Sequence, residues 1–555
     1  MSWKIIEKYR ALLACEEGAR PKDWGGKLTV CLVYPNRYAV AMGNLGFQAV
    51  YDLLNDRPDV VCERAFLPDP EELREYEKSR TALLSLESQR PVAAFDVIAF
   101  SVSFESDYLN IPALFHLAGI PPLAASRNPS HPLVVAGGAA IFLNPEPVAD
   151  FLDLACIGEA EGILPQLIEL LGERGYAERG DFLRAAARLP GMYVPSFYTP
   201  VYDGARLISV HSPAGAPEHV ERVTADLGRQ GAASRILSSE SEFADMYLIE
   251  VSRGCPRGCR FCAAGFIYLP HRQRPLADLK AEVEKGLARR EKIGLVGAAV
   301  SDYRGIGELC RHIRSRGGKV SVSSLRIDAL DEEMIDTLVA SGHKTVALAP
   351  EGGSQRLRDL IRKDLTEEQI LAACDRLIGR DILNLKLYFI VGLPTETMAD
   401  LEEMADLVAK IRERVVASAR ANRRLGSVVL SVNPFVPKPF TPFQWCGMEE
   451  VKSLERKFAW LGKTCGRLPN IRLQTESPKD AYLQALLSRG DRRLSAFLLR
   501  AAELSSWKRA AREFSPATDL IVHRTIPREE LLPWDFIGGG PRERLLREFR
   551  TAIGE

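Results

Sequence analysis

The sequence predicts an α/β protein with three parts: an N-terminal doubly wound, Rossmann-like domain, a central partial (β/α)6 barrel and a mostly helical C-terminal domain. Three observations lead there. Short, almost continuously apolar runs alternate with helical periodicity in the first third, the pattern of parallel strands buried on both faces. From Met246 the alternation becomes regular through six strand-like runs. Beyond Glu476 strand signals give way to helical segments rich in arginine. The expected boundaries are 1–175 for the first domain, 176–245 for a connector, 246–440 for the barrel and 441–555 for the C-terminal domain.

At 555 residues the chain has room for two or three domains. Seventy-three basic residues balance 73 acidic ones, so bulk charge does not point to nucleic acid as a partner. No apolar run reaches the length of a membrane span, and the first residues lack the apolar core of a signal peptide. The eleven cysteines are odd in number and, three excepted, dispersed, which argues against a secreted disulfide framework. A cytoplasmic protein is expected.

The first strand, Lys27–Tyr34, runs into a turn carrying Asn36, Asn44 and Gly46, then into a helix reaching about Asn55. Further strands are expected at Val97–Ser103, Leu133–Ala136 and Leu154–Ile157. The turns after them are small or glycine-rich and bring in Ser101 and Ser103, then Gly137 and Gly138, then Gly158 and Glu159. Ligands of doubly wound sheets sit beyond the carboxyl ends of the strands, where these turns fall. The first turn is not G-x-G-x-x-G, so a dinucleotide is poorly supported. A domain that binds nothing is the plainer alternative. The connector is turn-rich and charged; a few short strands and a docking role are expected of it.

Strand-like runs of the central region are Met246–Val251, Ile293–Val300, Lys319–Ser323, Lys344–Leu348, Leu383–Val391 and Val428–Val432. Asp331 and Thr366, each followed by two acids, make good helix starts. Active sites of such barrels lie at the carboxyl ends of the strands. Directly after the first strand comes Arg253–Cys262, with Cys255, Cys259 and Cys262 in C-x3-C-x2-C spacing. Three thiolates from one loop hold three corners of an iron–sulfur cube and leave one iron open. A closed zinc site needs a fourth ligand at a recognisable spacing; the nearest histidine, His271, lies nine residues past Cys262 in a Pro- and Arg-rich segment. On the fifth strand, alternation puts Lys386, Tyr388 and Ile390 on one face. They line a chamber or reach solvent past a helix; the sequence leaves both open. Glu396, after Val391–Pro394, reads as a helix-start acid. The C-terminal part opens with a proline-dense aromatic crossing at Asn433–Trp445. Its later arginines are either a solvated helix face or a lid for an anionic substrate.

The cysteine loop, with Phe261 before its third cysteine, resembles the signature of radical S-adenosylmethionine (SAM) enzymes. The turns at Asn36, Asn44, Gly46, Ser101, Ser103, Gly137, Gly138, Gly158 and Glu159 resemble those of the cobalamin-binding domain that precedes many such cores. The whole chain is similar to an uncharacterised branch of the cobalamin-binding radical SAM family. One departure stands out: the Asp-x-His-x-x-Gly motif of other cobalamin proteins is absent.

The resemblance implies a 4Fe–4S cluster on Cys255, Cys259 and Cys262, with SAM chelated to the open iron and cleaved to a 5′-deoxyadenosyl radical. It further implies SAM contacts from Phe261, Gly297 and Ala298, Ser324, Glu351 and Lys363, and cobalamin contacts from the N-terminal turns. Methyl transfer to an unactivated carbon is the implied reaction, with an electron donor such as flavodoxin or ferredoxin. Non-methylating radical chemistry, RNA modification included, is the first rival, and a redox sensor the second. The substrate, whether small molecule, peptide or RNA, stays unidentified.

Overall fold

The computed structural model describes residues 2–174, 179–322, 325–422, 424–538, 540 and 542–555. Its internal contacts divide into two compact units. The first comprises Met1–Ala244 with Leu486–Ile521 and Glu529–Gly539; the second comprises Asp245–Ala485 with Val522–Arg528 and Gly540–Glu555. The residues expected as one C-terminal domain are thus shared between the units. The connector region packs with the first unit and contributes the hairpin Thr199–Asp203 and Arg206–His211.

The first unit is built on six strands: β1 (Leu28–Tyr34), β2 (Val60–Phe66), β3 (Val97–Ser101), β4 (Leu133–Gly137), β5 (Leu154–Cys156) and β6 (Met192–Tyr193). Their order is β2-β1-β3-β4-β5-β6; all pairs are parallel except the last. The chain order therefore reverses between β1 and β3, the topological switch point of a doubly wound sheet. β2 escapes a sequence reading because Glu63 and Arg64 interrupt its apolar run. Both are buried and fully partnered. Arg64 is completely enclosed, held by Glu87 at 2.6 Å and Glu16 at 2.7 Å, with its guanidinium over the Tyr51 ring. Glu63 accepts from Trp24, Ser85 and Ser88.

The returning C-terminal segment is fastened to the loops of the first unit by polar contacts. Asn144 donates to the carbonyls of Ser488 and Gly490 at 3.1 and 2.7 Å. Ser488 donates to Glu105, and Ser495 to Asp150. Arg492 meets Glu146 at 3.0 Å, donates to the Tyr193 hydroxyl at 2.7 Å, and reaches the Tyr198 carbonyl. Some of the C-terminal arginines therefore anchor the segment and are not a solvated face.

Among the described residues the two main sheets of the second unit comprise seven strands: β7 (Met246–Glu250), β8 (Lys292–Val296), β9 (Lys319–Val322), β10 (Thr345–Glu351), β11 (Asn384–Val391), β12 (Ser427–Pro434) and β13 (Ile471–Thr475). All pair in parallel, in two sheets of order β7-β8-β9 and β10-β11-β12-β13. The isolated bridge Leu325–Leu348 runs from just after β9 to β10. The six strands expected of an open partial barrel are present, a seventh, β13, extends them, and no closed barrel forms among the described residues. β13 escapes the sequence reading because its residues alternate between half-buried and exposed, as suits a sheet edge. Among the described residues no helix is long and apolar enough to cross a membrane.

Truncating Arg492 leaves the Glu146 carboxylate, whose side chain is 2% exposed, with the Tyr193 hydroxyl but without its counter-charge. Arg492→Ala should therefore lower unfolding stability by about 3–5 kcal/mol, measured by urea titration.

Candidate active site

The cysteine loop leaves β7 through a two-residue antiparallel ladder, in which Ser252 and Arg253 pair with Gln273 and Arg272. The ladder closes the base of an excursion that holds all three cysteines. Two glycines shape it. Gly254 has φ +82°, and a Cβ there would stand 2.3 Å from the Tyr268 carbonyl oxygen; Gly258 has φ +70°. Only glycine adopts such a conformation at no steric cost. Cys262 N–H closes a turn on the Cys259 carbonyl at 3.1 Å. Arg260 clamps the loop from outside: its backbone N–H and its guanidinium donate to the carbonyls of Ile361 and Leu360.

The walls are charged and paired. Arg257 donates to Asp302 at 2.8 Å and to Asp328 at 3.0 Å. Asp328 also receives Arg326 at 2.9 Å. Beyond these, Lys363 stands 3.6 Å from Glu351. Burial pushes the Cys262 thiol up to about 11; the backbone N–H of Ala264 opposes this, and Cys259, Cys255 and Glu351 add to it. Burial also raises Cys255, against the Arg257 N–H. Burial raises the Glu351 carboxyl, and Lys363 and Arg326 pull it back. The three thiols and these charges therefore act on one another electrostatically.

Glu351 ends β10 with φ +65°, a left-handed conformation uncommon outside glycine. Gly297, just past β8, lies against the first strand's exit: a Cβ on it would come within 2.9 Å of the Ser252 hydroxyl. That hydroxyl is buried and makes no hydrogen bond. Phe261 is half-buried and Ala298 exposed. Ser324 lies outside the described residues. Arg326, which the sequence reading did not single out, is the residue it missed at this end. Its signal was its place two residues past Ser324, at the same strand end.

The donor set fits a 4Fe–4S cube. Among the described residues no three His, Cys, Asp or Glu side chains are gathered to hold a single metal ion. A cube binds each thiolate on a different iron, so it does not require such a gathering. The orphaned Ser252 hydroxyl beside Gly297 suits a further polar ligand at the same strand ends.

The first unit's switch point is laced by amides. Asn36 donates to Asp107 at 2.8 Å and accepts from Arg37 N–H. Asn44 donates to Ser103 at 2.9 Å and caps its helix by accepting from Phe47 N–H. Gly46 lies in that helix's first turn, and Ser101 ends β3 half-buried. Gly137 ends β4. Gly138 and Gly158 have internal reasons to be glycine: their Cβ atoms would strike the backbone of Val102 and Val223 at 2.4 and 2.3 Å. Glu159 accepts from Ala225 N–H at 2.8 Å. The unspent group is Asp107, which the sequence reading did not single out. It is 3% exposed, and one of its carboxylate oxygens has no partner.

Comparison with known proteins decides the family. Residues 46–195 match the family described as radical SAM proteins, N-terminal, and residues 249–408 match the radical SAM superfamily. An uncharacterized protein of Methanocaldococcus jannaschii is 30% identical over 476 residues, covering 84% of this chain and 90% of that protein. The chain belongs to the radical SAM superfamily. As a radical SAM enzyme it uses a 4Fe–4S cluster and SAM and needs an electron donor. A tRNA-2-methylthio-N(6)-dimethylallyladenosine synthase of Cereibacter sphaeroides is 29% identical over 219 residues, covering 36% of this chain and 46% of its own. Among solved structures, the cobalamin-dependent S-adenosylmethionine radical enzyme OxsB is similar with a TM-score of 0.48 at 13% identity, covering 95% of this chain and 79% of that one.

Burial holds the Asp107 carboxyl up to about 6; the amide of Asn36 opposes this and Glu105 adds to it. A carboxyl with a raised native pKa binds its proton more tightly when folded, so stability falls as pH rises from about 4 to about 6. Asp107→Asn should raise stability at pH 7.5 by on the order of 2 kcal/mol and change it little at pH 4. Urea titrations at the two pH values measure this.

Proposed function

We propose that this radical SAM enzyme binds cobalamin on its first unit and transfers a methyl group to an unactivated carbon. The observation that carries the cobalamin reading is the parallel sheet that reverses between β1 and β3, with the orphaned carboxylate oxygen of Asp107 at the reversal. Open α/β sheets take their ligands at such a point, and an unpartnered buried oxygen there calls for a ligand donor. Cys255, Cys259 and Cys262 would hold the cluster. Gly297, Ala298, Ser324, Glu351, Lys363 and Phe261 would hold SAM, joined by Arg326. Asn36, Asn44, Gly46, Ser101, Ser103, Gly137, Gly138, Gly158 and Glu159 would shape the corrinoid site, several of them by folding its loops.

When bound, the cluster and SAM supply a hydrogen-abstracting radical, and cobalamin supplies the methyl donor. The chain's own residues bind, orient and exclude water. An sp3 carbon without an acidic proton gives a general base nothing to remove, so no acid–base residue is assigned. Glu396 has a folding role: it accepts from Gly392 N–H and from Lys457 at 2.7 Å.

RNA modification is the second reading, favoured by the tRNA-modifying relative that matches 36% of this chain. Anaerobic reconstitution with iron, sulfide and hydroxocobalamin, then SAM and reductant, separates the two. Deoxyadenosine with cobalamin retained through desalting and a methylated product supports methyl transfer. Deoxyadenosine without retained cobalamin removes it. Cys259→Ala should lose most reconstituted iron and all deoxyadenosine formation.

A further inference from the structure

Parallel sheets normally bury both faces under apolar side chains. The four-stranded sheet of the second unit does not. Along β11 and β12 fully buried residues alternate strictly with half-buried ones. The buried set is Leu and Val with one Phe and one Pro; the other face carries Asn384, Ser427, Val429 and Ile390 beside a polar group of Lys386, Tyr388, Ser431 and Asn433. These four are contiguous. Tyr388 pairs with Ser431 across the ladder, Lys386 lies two residues before Tyr388, and Asn433 two residues beyond Ser431.

The Lys386 ammonium lies 4.9 Å from the Tyr388 ring centroid, so its side chain runs along the strand toward the carboxyl end. No described residue gives it a carboxylate partner, and the side chains of Tyr388, Ser431 and Asn433 likewise make no hydrogen bond to a described residue. By contrast Lys363 has Glu351, and Asn384 and Ser427, lower on the same face, bond to each other. A half-buried cation without a counter-charge is unfavourable unless something else neutralises it. The aromatic ring does so only in part.

We propose that this face is a substrate-anchoring site, in which Lys386, steadied on Tyr388, receives an anionic group of the substrate, a phosphate or a carboxylate. Ser431 and Asn433 supply hydrogen bonds to the same group. Tyr388 stands three residues before the end of β11, roughly 10 Å below it at the rise of an extended strand. The anchored end therefore lies deeper than the loops that hold the cofactors, and the reacting carbon stands nearer the strand ends. This assignment rests on membership of the radical SAM superfamily and is independent of cobalamin or methyl transfer.

Trace acetylation of the reconstituted full-length protein, read by peptide mass spectrometry, tests it. Pyrophosphate and citrate serve as probes for a phosphate and a carboxylate source. Either should lower Lys386 labelling roughly fivefold at four times its dissociation constant, with the exposed Lys285 as internal reference. Pyrophosphate or citrate binding, measured by calorimetry, should survive in Lys386→Arg and Tyr388→Phe and weaken at least about tenfold in Lys386→Gln. Protection by SAM alone, equal to that by the probes, would assign the cation to the cofactor's carboxylate and overturn the proposal. So would unchanged labelling with both probes.

Discussion

The candidate active site depends on one constraint: charges brought close to a buried thiol loop have to be neutralised in place. Arg257 reaches from the loop to Asp302 and Asp328, and Asp328 in turn holds Arg326. These pairs join the loop to the ends of β8 and β9 and set where the cysteines stand. Arg260 performs the same service on the outer side by satisfying carbonyls of the segment after Gly352. Without the pairing the loop keeps its glycines, the turn from Cys262 N–H to the Cys259 carbonyl and a two-residue ladder. Ion pairs of this kind add little net stability but fix geometry, which is what a cluster-binding loop requires.

The first unit solves a related problem with side-chain amides. Its switch point is crossed by Asn36–Asp107 and Asn44–Ser103, contacts donated by the two amides that hold the loops together. The glycines at 138 and 158 belong to the same economy, because neighbouring backbone leaves no room for a side chain. Residues that look like ligand contacts in the sequence are thus partly loop-building residues. The one group they leave over, an oxygen of Asp107, is where ligand chemistry remains available.

Much of the architecture is legible in the sequence, and the misses have physical causes. Apolar runs mark β1, β4, β7 and β8 because parallel strands bury both faces, and β11 and β12 show through their alternating buried Leu, Val and Phe. β2 hides behind Glu63 and Arg64, whose partners Trp24, Ser85, Glu87 and Glu16 are distant in sequence. Arg326 and Asp107 hide for the same reason. An arginine or aspartate in a polar turn looks ordinary until its burial and its partners are known.

Local sequence is enough for the cysteine motif that marks the radical SAM superfamily. Three cysteines within eight residues carry their own geometry, since the spacing, the glycines and the preceding strand are all local. It also determined the alternation of strands and helices, because periodicity is local too. Folding in three dimensions adds a seventh strand to the central sheets, divides the C-terminal residues between two units, and leaves Lys386 on the half-open side of its sheet with no carboxylate partner among the described residues. Each of those rests on contacts between residues far apart in the chain, and a linear pattern does not encode which distant group will neutralise a charge or cover an apolar face.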